Sequence, residues 1–78
     1  MDDVTRQSHI RMIKSLAIAY RQFGFQLLVD QATIGKVGID DLDDDGLIGL
    51  HRDLERAREC LNDGVSFEEA GLLKSRYH

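Results

Sequence analysis

Three histidines, one cysteine and a dense run of aspartates are the side chains here with the chemistry to bind a metal or move a proton. His9, His51, His78 and Cys60 fall at none of the spacings that gather ligands in one loop or on one helix face, such as Cys-x-x-Cys or histidines at i and i+4. His51 flanks an apolar stripe and reads as a boundary histidine. Cys60 reads as a small buried hydrophobe. No glycine-rich phosphate loop or nucleophile elbow occurs. The carboxylates cluster at helix ends and on outer faces. The sequence therefore predicts no enzymatic activity, no cofactor and no metal.

The aspartates are the sharpest feature. Asp40, Asp41, Asp43, Asp44 and Asp45 precede Gly46. The stretch Asp41-Leu42-Asp43-Asp44-Asp45-Gly46-Leu47-Ile48 resembles the opening of an EF-hand calcium loop: carboxylates at alternate positions, a glycine for the turn, an apolar eighth residue. The resemblance covers these eight positions only. An EF-hand needs a bidentate glutamate at position twelve, and Arg52 stands there, removing two oxygen ligands and adding a cation. An acidic helix start accounts for the same residues. Asp43 is placed to cap, with Asp44 and Asp45 in a first turn where the helix dipole favours negative charge. Because five carboxylates exceed what a cap and a dipole require, Asp41, Asp43, Asp44 and Asp45 are predicted to meet a protein partner with a basic surface.

The elements that would carry these residues are helices. Leu47, Leu50, Leu54, Ala57 and Leu61 recur at 3-4-3-4 spacing, and Asn62-Asp63-Gly64 closes the run, predicting a helix over 44–62. Upstream, Ile13, Tyr20, Leu27 and Ile34 recur every seven residues, with Leu16 and Phe23 between them. That repeat predicts one helix over 4–34, roughly 45 Å long at ~1.5 Å per residue, started by Asp2 or Asp3. Gly24 is its weak point. A kink or break there is one alternative, and a short strand over 25–29 paired with 37–39 is another. The polar residues of this segment occupy an arc of only roughly 140°, whereas a surface helix needs an apolar stripe of about 100°. Two stripes result: Ile13, Leu16, Tyr20, Phe23 and Leu27, and a second of Ile18, Phe25, Leu28 and Ala32. The second is predicted to form a homodimer interface.

A capping box, Ser66-Phe67-Glu68-Glu69, opens a third predicted helix over 67–76, with Phe67, Ala70, Leu73 and Tyr77 turned inward. From Arg56 to Ala70, a helix, a Gly-Val-Ser turn and a short helix carrying Glu-Ala resemble the first two helices of resolvase-like DNA-binding domains. That family then needs a recognition helix for the major groove, and the residues after Ala70 are too few to supply one.

The fold expected is thus all-α: a single domain over 1–78, a long N-terminal helix packed on a two-helix hairpin and completed by dimerisation. A chain of 78 residues buries only about 60% of its unfolded surface, which favours assembly. The net charge of −4 is uneven. Residues 1–38 hold five basic and three acidic side chains, whereas residues 39–78 hold five basic and eleven acidic. The acidic half repels phosphate backbones. A lone cysteine, an acidic N-terminus and the lack of a long apolar run point to the cytoplasm and away from a membrane. The function expected is a protein-binding regulator or inhibitor of a larger macromolecule, of the kind phages and plasmids carry. The alternative is a dimeric DNA-associated transcriptional regulator using Arg6, Arg11, Lys14 and Arg21 on the polar face of the first helix.

Overall fold

Asp2 begins the first helix by accepting a hydrogen bond from the Thr5 amide at 2.7 Å, as an N-cap does. The computed structural model describes residues 1–73, and this helix, α1, spans Asp3–Ala19. Ile10, Ile13, Leu16 and Ala17 line its buried side. The helix does not continue to residue 34. A 3₁₀ turn, Arg21–Phe23, follows Tyr20, and Gly24 then adopts φ +91°. That left-handed conformation is open to glycine and costly for other residues. It breaks the helix and starts a new one, α2, over Phe25–Ala32.

The break overturns the reading of residues 4–34 as one continuous helix, and it explains the wide apolar arc. Redirected at Gly24, α2 turns Phe25, Leu28 and Val29 into the same core as Ile13 and Leu16. The seven-residue repeat does not survive in space: Ile13 is buried and Tyr20 half-buried, while Leu27 and Ile34 face outward. Residues 25–29 are helical, and no strand occurs among the described residues.

Thr33 closes α2, its hydroxyl donating to the Val29 carbonyl at 2.9 Å. The connection that follows holds one 3₁₀ turn, Ile39–Asp41, and is anchored by buried Leu42. Asp43 then caps α3, Asp44–Asp63, accepting from the Gly46 amide at 2.7 Å. Leu47, Leu50, Leu54, Ala57 and Cys60 form its buried stripe. Gly64 ends it at φ +73°, and the Val65 amide reaches back to the Cys60 carbonyl at 2.9 Å, a Schellman-type closure. α3 packs chiefly along α1, with α2 against α3. Phe25, Ile13, Leu47 and Leu54 are fully enclosed at the centre.

The third helix expected over 67–76 is not formed in its described part. Ser66 does accept from the Glu69 amide at 3.1 Å, as the capping box predicts. Only a turn follows, because Gly71 goes left-handed at φ +76° and the Leu72 amide bonds the Phe67 carbonyl. This segment still contributes to the core through Phe67, Ala70, Leu72 and Leu73. The expectation for Tyr77 lies outside the described residues. Tyr20 stacks on Phe25 with ring centroids 4.9 Å apart, and Phe67 meets Phe25 edge-on at 5.8 Å.

A side chain at Gly24 has room, since a Cβ there would meet Phe67 and Leu27 at ordinary contact distances of 3.7 and 3.8 Å. The backbone conformation is therefore the obstacle. Gly24→Ala should destabilise the protein by about 1–2 kcal/mol, and Gly24→Asn by less, since asparagine tolerates this region better. Urea denaturation followed by circular dichroism measures both. Equal stability of all three proteins would show that the turn does not need a left-handed residue.

Candidate functional site

The head of α3 brings most of the aspartate run together with the start of α1. Asp44 receives Arg6 at 2.9 Å and the N-terminal amine at 3.2 Å. The same guanidinium donates to the carbonyls of Asp40, at 3.0 Å, and Leu42. Arg6 thus ties α1 to the loop before α3 with two bonds and to the first residue of α3 with a third. Lys14 stands 3.7 Å from Asp40 on the exposed side. The N-terminal ammonium first, and Arg6 after it, hold the Asp44 carboxyl below the ordinary aspartate range against the opposing effect of partial burial. The hydrogen bonds from Thr5 lower Asp2 in the same way.

The four aspartates proposed as a partner surface therefore divide. Asp43 is occupied as the cap and Asp44 as an ion-pair acceptor. Asp41 makes only a long contact, 3.5 Å from the Val37 amide, and Asp45 is exposed with no partner among the described residues. Gly46 lies inside α3 rather than in a metal-binding turn. A Cβ there would approach Asp43 Oδ1 to 3.0 Å, so the glycine that suggested a calcium loop serves the cap. Among the described residues no three histidine, cysteine or acidic side chains converge as a metal cage.

The residues expected to form a dimer interface do not share one surface. Phe25 and Leu28 are in the core, whereas Ile18 is 73% exposed and Ala32 is exposed. Their separation has the same cause as the broken repeat: the turn at Gly24 lies between Ile18 and the other three. On α1, Arg6 and Lys14 are paired with aspartates and Arg11 is exposed; Arg21, expected on the same helix, lies in the 3₁₀ turn beyond it and is also exposed.

Sequence reasoning missed two features. The first is the loop over 33–41, which turns apolar side chains outward. Ile34 is 79% and Val37 99% exposed, and Val37 borders a shallow groove completed by Lys14, Gly38, Ile39, Asp40 and Asp41. The second is the approach of His9 on α1 to His51 on α3, with Nδ1 atoms 2.9 Å apart. No sequence spacing announces a pair of histidines 42 positions apart.

Compared with known proteins, the chain matches no family model, no curated protein and no solved structure. No helix among the described residues is long and apolar enough to cross a membrane.

The lowered Asp44 carboxyl makes a pH-dependent contribution to stability. A carboxyl whose folded value is depressed stabilises the fold above its unfolded value, about 3.9, and that contribution is lost as pH falls through the folded value. Asp44→Asn should melt at a lower temperature than the parent at neutral pH, and the gap should close on acidification below about pH 4. Thermal melts at both pH values test this. A gap that persists unchanged in acid would show that charge on Asp44 is not its source.

Proposed function

We propose that this chain is a non-enzymatic protein-binding module that regulates or inhibits a larger macromolecular partner, docking through the loop over 33–41 and the adjoining head of α3. The observation that carries this reading is the near-complete exposure of Val37, with Ile34 close by in sequence, in a shallow groove shared with the Asp41 carboxylate, while Asp45 is exposed on the first turn of α3. The fold gains little from these two apolar side chains where they stand. Burying each against a partner would contribute about 1.5–3 kcal/mol. Asp41 and Asp45 would select a partner with basic groups at the rim of that contact and speed its approach at low salt. Asp43 and Asp44 serve the same surface indirectly, by holding the head of α3 in place.

The test is a pull-down with mass spectrometry, run in parallel on the parent, on Ile34→Ser with Val37→Asp, and on Asp41→Asn with Asp45→Asn. Both double variants should keep the parent circular dichroism spectrum. The apolar pair should lose the captured partner, and the acidic pair should hold it more weakly and with less dependence on salt. A partner retained undiminished by both variants would remove the loop from the binding surface.

The homodimer belongs to this reading as well, with Ile18 as the large apolar member of the predicted stripe that remains exposed. Light scattering at tens of micromolar should give a dimer mass for the parent and a monomer mass for Ile18→Asp. A monomeric parent would exclude the dimer.

A further inference from the structure

Spacing along the chain predicts no metal, yet the crossing of α1 and α3 supplies what spacing lacks: two imidazoles face to face. His9 on α1 and His51 on α3 are each half-buried, with ring centroids 5.1 Å apart and Nδ1 atoms 2.9 Å apart. The core beneath them fixes where both rings start. His9 adjoins Ile10 and lies one turn before Ile13, and His51 adjoins Leu50 and lies one turn before Leu54; all four neighbours are buried. Two packed helices therefore hold the pair, independently of the nitrogen contact itself. On the far side of His51, Nε2 lies 3.4 Å from Glu55 Oε1.

We propose that His9 Nδ1 and His51 Nδ1 form a clamp for one divalent transition ion of the zinc and nickel class, with Glu55 orienting His51 from behind. A neutral imidazole has one N–H and one lone-pair nitrogen. Glu55, accepting from His51 Nε2–H, leaves the lone pair on Nδ1, the atom that faces His9. A carboxylate on the far nitrogen is the usual support of a metal-bound histidine, fixing its tautomer and ring orientation. The spacing also fits. Two nitrogens bound at ~2.0–2.1 Å stand about 3.3 Å apart across a tetrahedral angle and about 2.9 Å apart across a right angle. The observed 2.9 Å lies at the short end of that range. The ion would stand to one side of the line between the nitrogens, so each ring must turn toward it. Half-buried rings have that freedom, and ring rotation completes the site without movement of the helices. His9 gives up any hydrogen on Nδ1 to water and takes one at Nε2.

Two imidazoles are fewer ligands than a closed cage supplies, and among the described residues no third histidine, cysteine or acidic side chain joins them. The remaining positions on the ion go to water, which reaches a site whose His51 and Glu55 side chains are 21% and 34% exposed. Imidazole sets the class of ion: it suits zinc, copper and nickel, whereas magnesium and calcium take oxygen ligands. The neighbouring charges permit a cation. Glu55 is shared with Arg58 but remains anionic support, and Arg6, one turn before His9, is paired with Asp44. An ion held by one residue of α1 and one of α3 ties the two helices together, so its binding free energy adds to the stability of the fold.

The experiment is calorimetric titration of the whole chain with zinc chloride at pH 7.5, alongside urea denaturation with and without zinc. The parent should bind one ion per chain, and zinc at about ten times its dissociation constant should raise the folding constant about elevenfold. Nickel should act in the same way. His9→Ala and His51→Ala should each abolish the effect, and His78→Ala should leave it unchanged. Glu55→Gln keeps both ligands and should weaken binding about tenfold or more. A parent that takes up no zinc, or a zinc effect retained by His9→Ala or His51→Ala, would overturn the proposal. So would a Glu55→Gln protein that binds as tightly as the parent. An equal effect of calcium would move the site to the aspartates at the head of α3 and overturn it too. Should a histidine variant fail to fold, nitrogen-15 NMR of the parent decides the matter. Zinc should shift the Nδ1 resonances of both His9 and His51, and a shift confined to His51 Nε2 would overturn the clamp.

Discussion

Gly24 holds a backbone conformation that other residues adopt only with strain, and the rest of the structure depends on it. A helix continued from Tyr20 to Ile34 would carry more apolar surface than two short helices can cover. The left-handed turn lets α2 fold back, so that Phe25, Leu28 and Val29 enter the core built by Ile10, Ile13 and Leu16 on α1 and by the leucines of α3. Phe25 is then enclosed between Tyr20 and Phe67. One chain thereby fills a core that, as a single long helix, it would have had to fill with a second copy. The outward faces left over are narrower and lie elsewhere: Leu27 and Ile34 on α2 and its exit, Ile18 on α1.

The same economy governs charge. Basic α1 and the acidic head of α3 look from the sequence like two separate binding surfaces. In the folded chain they meet, and Arg6 with Asp44 and Lys14 with Asp40 satisfy one another. Exposed pairs of this kind contribute little individually. Arg6 does more than pair, because it also bonds two loop carbonyls and so fixes where α3 begins relative to α1. The carboxylates left over by this pairing are Asp41, in the loop that leaves Val37 and Ile34 in water, and Asp45, on the first turn of α3.

Local rules were legible in the sequence wherever the causes lie within a turn or two of each other. Asp43 as cap, the leucine stripe of α3 and Gly64 as terminator are all visible as spacing. The Ser66 cap was also legible, but among the described residues only a turn follows it, since a cap lowers the cost of starting a helix without supplying the packing that continues one. At Gly24 the seven-residue repeat pointed the wrong way. A repeat records where apolar side chains fall on an ideal helix, and it cannot tell a core built by one chain from a seam between two.

By itself, then, the sequence determined that this protein is helical, where α3 starts and stops, and that its two halves differ in charge. Each of these follows from neighbours at helical spacing or from composition. Only the tertiary structure decided that Phe25 and Leu28 are core rather than interface, that Arg6 engages Asp44 from 38 positions away, and that His9 and His51 meet across 42. Burial, ion pairing and hydrogen bonding depend on distance in space. The chain sets those distances through one left-handed turn at Gly24, which the sequence offered only as an alternative to a continuous helix, and one helix crossing that no local pattern encodes.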